Sequence, residues 1–348
     1  MISGIQIRAF RGVRQGQVDK LSPLSILVGP NNSGKSTCLE AIACVGLGSD
    51  GANIAGLLLR RGGPPLGALQ HAMASDASQT ELAVQGQQGE KPMTWKAVLT
   101  SHRAGYSEAL EHAIREGLKE PLTRLAVSWQ YDPGGKGMCV IHMDRDGNRS
   151  TNMIEHGGNA KSYPIRWVDV NAVREVGALE NAYSELERAG QVDSVIHALR
   201  GSLAGLTDLR ILKADQDFVL HAVMQDPPPI PVYATGDGFK RFLEVAAAMA
   251  RPEPGVVLLE EPESYQHPRY MRELATLMFL SARAGTQIIL STHSLELIDC
   301  LLSAPEAVGL SYPSIHRFRL VRGELSAVVL DRESALSARQ DLLEDLRA

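Results

Sequence analysis

Residues 29–37 read Gly-Pro-Asn-Asn-Ser-Gly-Lys-Ser-Thr and directly follow the apolar run Leu24–Val28. A buried strand that empties into a glycine-rich loop and then a helix is the arrangement that cradles phosphate, and each residue type has a task in it. Glycine at Gly29 and Gly34 lets the main chain curl until its N–H groups face inward as a ring of donors. The helix that begins near Gly34 adds the positive end of its dipole. Lys35 is placed to reach the β- and γ-phosphates, and the Ser36 hydroxyl to ligate Mg²⁺. Asn31, Asn32, Ser33 and Thr37 complete the candidate nucleotide-binding stretch.

The bulk numbers suit a folded, non-membrane chain. Of 348 residues, 44% are apolar and 22% charged, enough for a substantial core. A net charge of −5 supplies no general pull toward nucleic acid or anionic lipid. Cys38, Cys44, Cys139 and Cys300 show no Cys-x-x-Cys spacing, so neither a disulfide framework nor a zinc site is indicated. No apolar run approaches the ~20 residues that span a bilayer. A cytoplasmic enzyme is the expectation.

Period-2 and period-3.6 patterns divide the chain. Strands are expected at Ile5–Phe10, Gly16–Asp19 and Ser25–Val28, then a helix from Ser36 to about Gly46. Residues 51–70, with Arg60 and Arg61 inside, read as a surface loop and short helix. Residues 76–165 read as an antiparallel β subdomain: Glu81–Gln85 with Thr94–Thr100, Leu125–Tyr131 with Met138–Asp144, and a polar helix around Ser107–Leu118. Residues 176–232 read as a helical segment through Leu179–Leu203, then a hairpin across Ala214–Asp217 and a stiff proline connector. From Val256 strand and helix alternate, which argues for a parallel sheet covered on both faces, within one domain over 1–348.

Three further stretches complete the chemistry. Val256-Val-Leu-Leu-Glu-Glu-Pro-Glu is an apolar strand ending in adjacent carboxylates. Glu260 is expected to hold Mg²⁺ or its water and Glu261 to polarise the attacking water, because metal charge and water deprotonation are separate tasks. Thr286–Ser294 is another buried strand, ending at His293, which can sense the γ-phosphate or the attacking water. His267 reads as a structural or interface residue. Thr235, Gly236, Asp237 and Gly238 put small residues and free amides at a helix start, a second anion cradle that a head-to-tail dimer needs and a single site does not.

These elements in this order resemble the ATP-binding-cassette ATPases of the soluble SMC, RecF and OLD branch, most closely the stand-alone AAA15-type bacterial ATPases, OLD-like without a nuclease domain. The resemblance implies an α/β fold: an ABC-ATPase head of the P-loop type with a mixed or parallel core sheet, an antiparallel β subdomain and a helical lobe. It also implies ATP and Mg²⁺ as ligands, a homodimer or higher homo-oligomer with Thr235–Gly238 acting in trans, and Arg11 near the adenine. The chain departs from the pattern in carrying Glu260 for the usual aspartate and Asp237 for a glycine. No glutamine stands in Asn171-Ala-Val-Arg174, and there is no TOPRIM segment or heptad arm.

Such a chain is expected to be an ATP-gated switch that controls a separate effector protein, in the manner of ATPases of phage defence. The alternative is a RecF-like DNA-repair ATPase, which net acidity disfavours. A transporter's nucleotide-binding subunit is disfavoured by the signature and by the missing glutamine, and a small-molecule kinase by the absence of a lid-type arginine cluster.

Overall fold

Short, mainly apolar runs become strands buried on both faces, while alternating runs become sheets with one wet face; this chain uses both. The computed structural model describes residues 1–47, 51–61, 71, 79–88, 91–103, 117–118, 123–132, 135–144, 146, 148–156, 164–169, 177–200, 203–214, 216–250, 255–303, 313–340 and 345–347. Its contacts divide into two compact units: Met1–Leu21, Gly29–Ile165 and Arg317–Val329, and Ser22–Val28, Arg166–His316 and Leu330–Ala348.

The first unit is a mostly antiparallel sheet with helices on its apolar face. Its strands are β1 (Ile2–Phe10), β2 (Val13–Asp19), β4 (Gln79–Gln88), β5 (Lys91–Arg103), β6 (Thr123–Asp132), β7 (Lys136–Met143), β8 (Arg149–His156) and β16 (Glu324–Leu330). They lie in the order β8-β7-β6-β5-β4-β1-β2-β16. Every pair from β8 to β2 is antiparallel, whereas β16 joins β2 in parallel through Glu324↔Gln15 and Leu325↔Gly16. Alternation puts Ile5, Ile7, Leu82, Val84, Trp95, Leu99, Leu125 and Val127 on one face. Helix α1 (Lys35–Leu47) lies against β1, β4 and β5, and α2 (Gly51–Leu59) against α1 and β7.

The expected hairpins of the β segment are present, and β8 is an added strand. The expected helix at 107–118 falls almost wholly outside the described residues. The surface reading of 51–70 is corrected: α2 buries Ile54, Ala55 and Leu58 completely, and residues 62–70 lie outside the description.

The second unit is built on parallel strands. β3 (Leu24–Val28), β13 (Val256–Glu260) and β14 (Gln287–Ser291) are buried at every position and pair in parallel in the order β13-β14-β3, with β9 (Ile165–Asp169) beside β13. Helices α3 (Ala178–Arg188), α4 (Val192–Leu199), α5 (Asp237–Met249), α6 (Met271–Arg283), α7 (Leu295–Leu302) and α8 (Arg332–Gln340) accompany them. Their apolar faces share one core with Ile26, Val28, Leu259 and Leu290. The helical segment expected through Leu179–Leu203 consists of two helices, separated where Gly190 takes φ 64°. The hairpin β10 (Leu206–Ala214) and β11 (Asp217–Met224) continues through the two-residue β12 (Ile230–Pro231). No helix of the described residues is long and apolar enough to cross a membrane.

Candidate nucleotide site

The loop 29–34 is held open by backbone that only small residues adopt cheaply. Gly29 and Gly34 have φ of 141° and 96°, and Asn32 follows at 62°. A Cβ on Gly29 would meet the Phe318 carbonyl at 2.6 Å, so conformation and space both require glycine there. Lys35 folds back over the loop, its Nζ donating to the carbonyls of Gly29 at 2.8 Å and Pro30 at 2.9 Å. Ser36 is half-buried on the first turn of α1, and Thr37 is buried.

Helix α1 has no wet face through its middle: Thr37 through Gly46 are all buried, Glu40 among them at 0% exposure. Three guanidiniums meet that carboxylate. Arg11 Nε lies 3.1 Å from it, Arg60 Nε 2.9 Å and Arg61 Nε 2.8 Å. Arg11 also donates to the Leu58 carbonyl at 3.0 Å, so its side chain is engaged inside the first unit. Burial lowers the Arg11 pKa, and Glu40 opposes that fall. Nothing local in the sequence announces this collar, whose members are separated by 20 to 29 positions.

In the second unit the carboxyl ends of β13 and β14 bring Glu260, Glu261, Glu263 and His293 together. Glu260 is buried at 5% exposure. Glu261 leaves the strand with φ 45°, a left-handed backbone that costs a bulky residue about 1 kcal/mol or more. Its N–H is still fastened to the Ser291 carbonyl at 3.0 Å. Its Oε1 stands 3.8 Å from Nε2 of His293. Glu263 is the residue that sequence reasoning missed. Its Oε1 accepts from the Thr292 hydroxyl at 2.6 Å and from the His293 N–H at 2.9 Å. Burial raises the Glu263 pKa, against those two hydrogen bonds.

The second expected cradle is a helix start in the same unit. Gly236 caps α5 in an extended conformation, and the Thr235 hydroxyl turns away to the Val232 carbonyl at 2.7 Å, so Thr235 is not the cap. Asp237, in the first turn, pairs with Lys240 at 2.8 Å. Gly238 is required by close approach: its Cβ would lie 2.5 Å from the Tyr265 carbonyl, and Gln266 donates to its carbonyl at 2.8 Å. The loop after Glu261 is thereby laid on the start of α5. Arg241, one turn along and also unforeseen, donates to the carbonyls of Asp169 at 2.7 Å and Glu260 at 3.4 Å. The Nδ1 of His267 accepts from the Arg269 N–H. Residues 171–174, the place of the missing glutamine, lie outside the described residues.

Among the described residues no group of three or more His, Cys, Asp or Glu side chains is placed to hold a metal. The oxygen donors expected for Mg²⁺, the Ser36 hydroxyl and the buried Glu260 carboxylate, are of the hard type that ion selects, and Mg²⁺ ordinarily takes few protein ligands beside phosphate oxygens and water.

Comparison with known proteins agrees with this geometry. A family model described as "AAA domain, putative AbiEii toxin, Type IV TA system" matches residues 142–299, and one described as "AAA ATPase domain" matches 1–46. No curated protein matches the chain in sequence. Among solved structures, an Smc head bound to the C-terminal winged-helix domain of ScpA is similar at TM-score 0.52 and 14% identity, covering 97% of this chain and 99% of that one. An Smc head with an extended coiled coil, bound to the C-terminal domain of ScpA derived from Pyrococcus furiosus, is similar at TM-score 0.50 and 12% identity, covering 99% of this chain and 100% of that one. The mixed α/β architecture is that of an SMC head. In sequence, residues 1–46 and 142–299 are similar to AAA-type ATPase models, and in fold the chain is similar to SMC heads.

Proposed function

We propose that the chain hydrolyses ATP and uses the cycle as a switch. Gly29–Thr37 cradle the triphosphate, with Lys35 on its β- and γ-phosphates. Ser36 and Glu260 would hold Mg²⁺, which would supply charge neutralisation at the phosphates. Glu261 takes a proton from water as the water oxygen bonds to the γ-phosphorus and the bond to the β–γ bridging oxygen breaks, giving ADP and phosphate. His293 donates toward the γ-phosphate. Arg11 is assigned to the adenine side. Thr235–Gly238 close on the nucleotide of a second copy, so that ATP drives a homodimer that controls a separate effector protein.

The observation that supports this reading best is the constellation at the ends of β13 and β14. A buried Glu260 is followed by a Glu261 held at φ 45°, with the His293 ring 3.8 Å from its carboxylate. Strained backbone at adjacent acid and imidazole is what a poised hydrolytic site shows. The toxin–antitoxin wording of one matched model and the ScpA-bound Smc heads support a protein partner.

The test uses two substitutions. K35A should abolish the ATP-dependent rise in melting temperature that mass action gives the wild type. E261Q should keep that rise and lose turnover by about 100-fold or more. Light scattering of E261Q with Mg-ATP should show a dimer or larger assembly. Near-normal hydrolysis by E261Q would remove the base assignment, and an ATP-independent monomer would remove the switch.

A further inference from the structure

We propose that Arg347 is a positioning residue for His293, a role that rests on the hydrolytic reading above. His293 sits between the end of β14 and the start of α7. Both of its backbone groups are held by side chains remote in sequence. The N–H donates to Glu263 Oε1 at 2.9 Å, and the carbonyl accepts from Arg347 Nη1 at 2.9 Å.

Arg347 is itself fixed. Its Nε and Nη2 grip the two oxygens of Asp345 at 2.8 Å each, and its backbone N–H donates to Asp345 Oδ1 at 2.9 Å. This two-point grip sets the guanidinium plane and leaves Nη1 aimed at the His293 carbonyl. Leu346, between the pair, is fully buried in the core of the second unit and anchors the segment. The Arg347 hydrogen bonds hold the Asp345 carboxyl down to about 2, so the pair stays ionised across the working pH range.

The consequence is geometric. Fixing the peptide on each side of His293 fixes its Cα–Cβ direction, and with it the 3.8 Å approach of the ring to Glu261. Glu263 holds the N–H side, and Arg347 holds the carbonyl side.

The experiment measures kcat and KM for ATP in wild type, R347A, R347K, H293A and H293A/R347A, and the His293 ring resonances by NMR without nucleotide, with R339A as control. Arg339 pairs with Asp299 at 2.8 Å and does not reach His293. R347A should lower kcat about tenfold with KM changed less than about twofold, a difference confined to the transition state. R347K, which keeps one donor, should recover most of that loss. On the H293A background R347A should have no further effect. The ring resonances should move in R347A and stay in R339A. Wild-type kcat in R347A, an equal loss on the H293A background, or unmoved ring resonances would overturn the assignment. A wild type without turnover would instead sink the proposed function, while the resonance measurement still decides the role of Arg347.

Discussion

Glu40 in the first unit and Glu263 in the second are carboxylates drawn out of water, and the two units compensate them differently. Glu40 is wholly buried and met by the guanidiniums of Arg11, Arg60 and Arg61. Glu263 is only partly buried as a residue, yet its Oε2 lies inside with no hydrogen-bond partner among the described residues. Its Oε1 is held by a hydroxyl and an amide. A carboxylate met by three guanidiniums ties the helix that carries it to the segments that carry them. One facing neutral donors is raised toward its neutral form and holds its neighbours more lightly. The contrast separates a rigid collar around the phosphate-loop helix from a more adjustable mounting for His293.

The largest effect should follow from breaking the collar. E40A removes the carboxylate that meets three guanidiniums, two of them with side chains only 8% and 12% exposed. Breaking a buried ion cluster from one side costs about 3–5 kcal/mol, a large share of the ~5–15 kcal/mol that holds a domain together. Urea unfolding of E40A should show a correspondingly lower midpoint. A change of less than about 1 kcal/mol would mean that the cluster is surface decoration, and the contrast with Glu263 would collapse.

A second buried group in the second unit tests whether neutrality is its general solution. His316 is fully buried, its Nε2 2.9 Å from Ser314 Oγ, which lies 2.8 Å from Ser22 Oγ and 3.1 Å from Ser25 Oγ. Burial pushes its pKa down to about 4. The unfolded imidazole binds a proton near pH 6.5, so between those values the unfolded chain takes up a proton that the native one refuses. Stability from this group is therefore complete above pH 6.5 and is lost as pH falls toward 4, by up to about 3 kcal/mol. H316Q should flatten that part of the urea-midpoint profile. A profile no flatter than that of the wild type would show that the histidine is solvated.

A smaller effect distinguishes charge from shape at Glu263. E263A deletes the acceptor of two hydrogen bonds and should cost about 1–3 kcal/mol. E263Q keeps an acceptor oxygen and removes a charge that burial disfavours, so at pH 7–8 its melting temperature should equal or exceed that of the wild type. If E263Q were as damaging as E263A, the site would depend on the charge, as Glu40 is expected to do.

These clusters mark the limit of what the sequence discloses. The phosphate loop, Glu260, Glu261 and His293 were legible because phosphate and metal chemistry demand particular residue types within a few positions of a strand end. The parallel strands were legible because burial on both faces leaves an unbroken apolar run. Glu40 with its arginines, Glu263 beneath Thr292, and Arg347 on His293 were not. Their members are 20 to 54 positions apart, and each is a charged residue that reads alone as solvated surface. Strand β8, Arg-Ser-Thr-Asn-Met-Ile-Glu-His, escaped notice because it lacks the alternation that marks a half-buried strand; pairing with β7 makes it one.

The smallest expected effect is chemical silence around Glu40. Cys38 and Cys44 share its helix, both fully buried, and burial pushes each thiol up to about 12. At pH 8 that leaves roughly one thiolate in ten thousand, and only the thiolate is alkylated. Iodoacetamide with native protein should therefore modify Cys300, which is half-exposed, well before either. In E40A the three released guanidiniums have reason to seek water, and the helix should open often enough for Cys38 and Cys44 to react. Labelling of the two helix thiols in wild type at the rate of the unfolded chain would show that water already reaches Glu40, and would take away the dryness on which its difference from Glu263 depends.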